Sequence, residues 1–299
     1  MTKIVAISMP FPGVCRVLEE SEKLGFLKLV KLDSDRVAIP PADTYLLGAW
    51  SPAYNQLLKV LEGSRVGVLW TSSCGELGFE PIEQDYLAAI IDNPAIKFVW
   101  FGDESLGKVF KKGFYAPYPM KLPEEGLIPH EKQDIVTLFC PNTAKKNIVN
   151  QLVAIALLQR TTSVVLHTNV PVDPVFAASI KLKYVQHSWL EEREYKELIA
   201  SSKLNFACSW AETLNYQAAE ALMLGTFSVL STTIPWAMPY LTVKNPNDPL
   251  EIAQVAHKVL DTQERALTGY SVSEFHRSLR GHFVESNLFL KWMLESLAA

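Results

Sequence analysis

The first 129 residues of this 299-residue chain contain no histidine; the earliest is His130. Acid–base chemistry that relies on several imidazoles therefore has nothing to draw on there. Cysteine is nearly as scarce. Cys15, Cys74, Cys140 and Cys208 stand far apart, without the CxxC spacing of redox motifs and zinc sites, so no metal site is expected. Isolated thiols beside apolar residues read as reduced and buried, which suits a cytoplasmic protein. No apolar run is long enough to cross a bilayer. The opening MTKIVAISMPFPG lacks the apolar core of a signal peptide and is interrupted by Pro10 and Pro12. With 28 basic against 32 acidic residues, the net charge is −4, and no overall basic field marks a nucleic-acid partner. GxGxxG, short tandem repeats and low-complexity tracts are all missing.

The composition that remains, 48% hydrophobic and 20% charged, is that of a folded globular protein, and the length suits two domains. KIVAIS (Lys3–Ser8), FLKLVKL, TYLLGAW, RVGVLW (Arg65–Trp70) and IKFVWFG (Ile96–Gly102) are predicted strands. Between them lie three predicted helices: VCRVLEESEKLG, stopped by Gly25; SPAYNQLLKVLEG, with Ser51 at the N-cap and Pro52 at the first helical position; and FEPIEQDYLAAII. The proline-rich FYAPYPMKLPEEGLIPHEKQD (Phe114–Asp134) then interrupts the alternation and reads as a linker. Alternation resumes with strands DIVTLFC (Asp134–Cys140), SVVLHTN, KLKYVQHS, KLNFACS and TFSVLST. Helices fall on IVNQLVAIALLQR, LEEREYKELIASS, TLNYQAAEALMLG (closed by Gly225), DPLEIAQVAHKVL and a tail from about Ser271. Such alternation predicts an α/β chain of two Rossmann-like domains, over 1–115 and 134–270, with a linker at 116–133 and a terminal helix at 271–299.

In doubly wound sheets, ligands bind beyond the carboxyl ends of the strands, so the strand-to-helix loops are the places to search. MPFPGVCR offers Gly13 for close backbone approach to an anion. TSSCGELG (Thr71–Gly78) offers hydroxyls and Glu76 to a polar ligand such as a sugar. PNTAKKN sets Lys145 and Lys146 beside a helix start, where ammonium groups suit a phosphate. In SWAETLNYQAAEALMLG, a helix is expected to begin around Thr213–Asn215, between Glu212 and Glu220. Its unpaired first-turn amides suit a diphosphate, and carboxylates accept well from the paired hydroxyls of a sugar.

The stretch ASSKLNFACSWAETLNYQAAEALMLGTFSVLST (Ala200–Thr232) resembles the signature region of GT-B glycosyltransferases, the retaining family 4 type in particular. Ser209 near a strand end, Glu212, seven residues, Glu220, Gly225 and a following strand match that signature in order and spacing. TAKKNIVNQLVAIALL and YVQHSWLEEREYKELIASS resemble the family's segments upstream. The resemblance implies a glycosyltransferase with two domains facing a cleft, and a last helix returning to the first domain. The donor, a nucleoside-diphosphate sugar, sits mainly on the C-terminal domain. Glu212 is expected to meet the donor sugar and Glu220 the ribose. The amides of Thr213, Leu214 and Asn215 face the diphosphate, and Lys146 or Lys145 neutralises the leaving phosphate. Glu212 and Lys146 are the expected catalytic residues. No cofactor is required. The acceptor is left open (glycan, lipid, protein or small molecule), with peripheral membrane contact allowed. Two rival readings keep the architecture. A nucleotide-sugar epimerase needs converging histidines that the first domain lacks. A non-catalytic nucleotide-sugar-binding protein is suggested by that lack and by the missing Arg ahead of Lys146.

Overall fold

The computed structural model describes residues 4–32, 37–121, 131–237, 242–267 and 271–298. The chain divides into two compact units, Met1–Leu122 with Arg280–Ala299, and Pro123–Leu279.

The first unit runs β1 (Ile4–Ser8), α1 (Pro12–Lys23), β2 (Lys28–Lys31), β3 (Thr44–Gly48), α2 (Tyr54–Val60), β4 (Arg65–Trp70), α3 (Cys74–Leu77), α4 (Pro81–Asp92), β5 (Ile96–Phe101), α5 (Glu104–Val109) and β6 (Gly113–Tyr115). All its strand pairs are parallel, in the order β2-β1-β3-β4-β5-β6. Every residue of β1 and β3 is buried, which is why IVAIS and TYLLG show no polar alternation: both faces of the sheet are covered. Val5, Ile7, Tyr45, Leu47, Tyr54, Val68, Val99 and Phe101 belong to one core cluster.

Sequence and structure differ here at several points: α5 was not expected, and three further differences bear on the site search. The second helix begins at Tyr54, not after Ser51, because residues 52 and 53 form a turn in which the Tyr54 amide donates to the Ser51 carbonyl at 2.9 Å. TSSCGELG is no open polar loop. Ser73 and Glu76 form a capping box around α3, with the Glu76 carboxylate accepting from the Ser73 amide at 2.6 Å, and both residues are buried. Phe114 and Tyr115 belong to β6, and beyond them Ala116, Tyr118 and Met120 are buried. The Tyr118 ring lies so close to Gly102 that a Cβ there would meet it at 2.1 Å. Its hydroxyl donates to the Trp70 carbonyl at 2.8 Å, and Asn287 holds the main chain of Met120 through both its amide nitrogen and its amide oxygen. Of the proposed linker, residues 122–130 lie outside the described residues.

The second unit runs β7 (Gln133–Leu138), a 3-10 turn (Ala144–Lys146), α6 (Ile148–Leu158), β8 (Val165–Thr168), α7 (Pro174–Ile180), β9 (Tyr184–Gln186), α8 (Glu192–Ser201), β10 (Ser202–Ala207), α9 (Tyr216–Met223), β11 (Ser228–Ser231), β12 (Thr242–Val243) and α10 (Pro249–Leu267). The last helix, α11 (Ser271–Ala298), carries the chain out of this unit and into the first. The strand order is β12-β11-β10-β7-β8-β9, again all parallel. Within the unit this is the Rossmann order 3-2-1-4-5-6. The chain steps outward from β7 to β9, then returns through α8 to lay β10 on the other side of β7. Gly225 ends α9 at φ 77°, where the Thr226 amide reaches Ala221 and the Gly225 amide reaches Leu222, a Schellman closure. A buried polar network centred on Asn205 ties the layers together. Its side-chain oxygen accepts from Thr137 at 3.2 Å and Gln217 at 2.9 Å, and its nitrogen donates to Ser228 at 2.9 Å. Among the described residues, no helix is long and apolar enough to cross a membrane.

Candidate donor site at the β7–β10 switch point

Ligands of open α/β sheets bind where the strand order reverses, outside the carboxyl ends of the strands. In the second unit that point lies between β7 and β10, and the loops leaving those strands, 139–147 and 208–215, carry Lys145, Lys146, Glu212, Thr213, Leu214 and Asn215.

Lys146 and Glu212 meet there. One carboxylate oxygen, Glu212 Oε1, accepts from Lys146 Nζ, from Ser209 Oγ at 2.7 Å and from Asn215 Nδ2 at 3.1 Å. The side chains are 14% and 6% exposed, so the pair is largely shielded from solvent. Charges this sheltered attract more strongly than a surface pair and cost more to strip of a partner.

The two loops are fastened by main-chain and amide contacts. The Lys145 carbonyl accepts from the Trp210 amide at 2.8 Å. Gln151, buried on α6, accepts from the Cys208 amide at 2.9 Å and donates to the Lys146 carbonyl at 2.7 Å. Asn147 follows the 3-10 turn in the left-handed region (φ 54°), and its amide nitrogen donates to the carbonyls of Cys208 at 3.1 Å and Pro246 at 2.6 Å. Sequence reasoning missed Asn147 and Gln151. The available signal was a pair of amides, one just before a predicted helix and one in its first turns.

Asn215 sharpens the expected helix start. It takes the left-handed conformation (φ 61°) and caps α9, its side-chain oxygen accepting from the Ala218 amide at 3.0 Å. The helix therefore begins at Tyr216, and Thr213, Leu214 and Asn215 lie in the loop before it. Leu214 is buried, and its carbonyl accepts from Trp236 Nε1 at 2.6 Å. Thr213 and Glu220 are half-buried, Glu220 on α9 itself.

On the neighbouring strand ends, His187 Nε2 lies 3.0 Å from His167 Nδ1, with Phe139 packed on His187. Burial, and then the facing imidazole, lower the pKa of His167. In the first unit the switch point falls between β1 and β3. There Ala49 holds φ 62°, and Gly13 lies in the first turn of α1 with open space over its Cα. Three of the four described non-glycine residues at positive φ (Ala49, Asn147 and Asn215) thus flank a switch point.

No protein-family model matches the chain, and no curated protein matches it. Solved structures do. The chain is similar to a UDP-forming α,α-trehalose-phosphate synthase from Burkholderia xenovorans, with a TM-score of 0.69 at 11% identity over 100% of both chains. Similarity to a sucrose-phosphate synthase from Thermosynechococcus elongatus gives 0.72 at 14% identity over 99% of each chain. A trehalose-6-phosphate protein from E. coli, bound with UDP-2-fluoro glucose, gives 0.60 at 15% identity over 95% of this chain and 77% of that one. At these identities the likeness establishes the fold, two parallel-sheet α/β domains of the GT-B kind.

Proposed function

We propose that the protein is a glycosyltransferase that takes a sugar from a nucleoside-diphosphate sugar and passes it to an acceptor with retention of configuration. The observation that carries this reading is the convergence of Lys146, Glu212, Ser209 and Asn215 at the switch point of a Rossmann-ordered sheet. A diphosphate placed there meets a sheltered ammonium. As the bond between the anomeric carbon and the phosphate oxygen breaks, negative charge grows on the leaving diphosphate, and a pre-positioned Lys146 stabilises it without rearranging solvent. Lys145 adds a second positive charge on the same loop. The loop 213–215 supplies amides, and Glu220 takes the ribose hydroxyls. The uridine nucleotides in the names of two similar structures make UDP-sugars the first donors to try. The acceptor belongs to the first unit in this reading, at the loops around Gly13 and Ala49. Incubation with a panel of UDP-, GDP- and ADP-sugars tests it: one donor should raise the melting temperature and be slowly hydrolysed, and Lys146→Met should weaken both effects. Tight nucleotide-sugar binding with no transfer or hydrolysis under any condition would instead support a non-catalytic binding protein.

A further inference from the structure

We propose that Glu212 is a positioning residue that acts on the donor through Lys146, holding the ammonium in place and masking part of its charge until a diphosphate takes it over. This rests on the donor-site reading above and assigns Glu212 a different role from contact with the donor sugar.

Three observations carry it. The oxygen Oε1 is filled by three donors, one from the loop after β7 and two from the loop after β10. Glu212 is 8% exposed, so little of its side chain is open to a sugar hydroxyl. Asn215 uses both ends of its amide, one on Glu212 and one on the Ala218 amide, so the carboxylate also fixes the start of α9.

The physical consequence concerns charge. An ammonium hydrogen-bonded to a carboxylate presents a weakened field to an incoming anion. A diphosphate must draw Lys146 away from Glu212. That exchange is cheap here because Ser209 and Asn215 stay on the carboxylate, and no buried charge is left without a donor. The arrangement keeps Lys146 extended toward the site when it is empty and releases it only to a ligand of higher negative charge.

The test is a calorimetric cycle with inorganic pyrophosphate as the probe, on the unaltered protein and on Glu212→Gln, Lys146→Met and the double variant. Glutamine keeps an acceptor for Ser209 and Asn215 but removes the charge. Glu212→Gln should bind pyrophosphate roughly ten-fold more tightly, the size of effect that a close charge partner exerts. Relief of direct repulsion between Glu212 and the anion contributes to this gain in either background, so the proposal is read from the excess: the gain should be clearly larger with Lys146 present than in Lys146→Met. Equal gains in the two backgrounds would leave direct repulsion alone, and weaker binding by Glu212→Gln would mark a merely structural role; either result overturns the proposal. If Glu212→Gln does not fold, Glu212→Asp, whose shorter arm loosens the pair, should show a smaller gain of the same sign; the absence of a gain there overturns the proposal too. Failure of every nucleotide sugar to bind the unaltered protein would sink the donor-site reading, while the pyrophosphate cycle reports on Lys146 and Glu212 alone.

Discussion

Gln151 holds Lys146 by its main chain: the side-chain amide donates to the Lys146 carbonyl at 2.7 Å while its oxygen accepts from the Cys208 amide at 2.9 Å. One buried side chain thereby sets the spacing of the two loops that form the candidate site. Gln151→Leu has similar bulk but leaves both main-chain groups unpaired, which should cost about 2 kcal/mol in urea unfolding. Donor affinity should fall as well, although Gln151 touches no ligand in the proposed arrangement. Full affinity at reduced stability would show that the loops keep their spacing without it.

Lys146→Met should lower turnover with the best donor by roughly 10²–10³-fold, the range found when one pre-organised charge stabiliser is removed. The circular dichroism spectrum should be unchanged, since Glu212 keeps Ser209 and Asn215 as partners. Steady-state rates with the same acceptor over a range of donor concentrations are the measurement. A loss confined to KM would place Lys146 in ground-state binding alone.

Backbone conformation gives two opposed stability changes. Gly225 sits at φ 77° with open space around its Cα, so Gly225→Ala meets no clash and should cost about 1 kcal/mol from the left-handed conformation alone. Ala49 already bears that strain at φ 62°, and Ala49→Gly should recover part of it, up to about 1 kcal/mol. Thermal denaturation midpoints should move in opposite directions. A destabilising Ala49→Gly would mean that flexibility gained in the unfolded chain outweighs the relieved strain.

Lys132 gives a pH signature. Burial pulls its pKa from 10.5 down to about 8, while its ammonium donates to the Ala200 carbonyl and Thr226 Oγ1, each at 2.7 Å. Between pH 8 and 10.5 the unfolded chain holds this proton and the folded chain releases it, so the unfolded state binds more protons and stability rises with pH. The penalty of burying the charge is fully present below the folded pKa and fades above it. The stability of the unaltered protein relative to Lys132→Met should therefore climb across that window in urea titrations. A flat difference would mean that the lysine titrates as if exposed.

The central strands were legible in the sequence because a sheet covered on both faces writes them as apolar runs, as in IVAIS and RVGVLW, whereas the short β6 and β12 carry no such run. Gly225 was legible because few other residues close a helix in the left-handed region. Lys146 and Glu212 stood out as charges on strand-to-helix loops. What joins them was not legible. Asn147 reaches Pro246 across 99 residues and Gln151 reaches Cys208 across 57, distances over which an amide in the sequence names no partner. The start of α9 was legible to within a residue or so; Asn215, an amide as an N-cap, turns left-handed and leaves Thr213 and Leu214 in the loop. Glu76 looked like a free carboxylate, yet the S-x-x-E spacing from Ser73 already spelled a capping box.

The most direct test of a donor site at the β7–β10 switch point is calorimetric titration of UDP-glucose, UDP-N-acetylglucosamine and their GDP and ADP counterparts into the unaltered protein and into Lys146→Met. At least one nucleotide sugar should bind the unaltered protein, with affinity at least ten-fold weaker in Lys146→Met, the effect expected from losing a charge-assisted contact to phosphate. Equal affinity for both proteins would place the ligand elsewhere, and no binding by either would contradict the donor-site assignment.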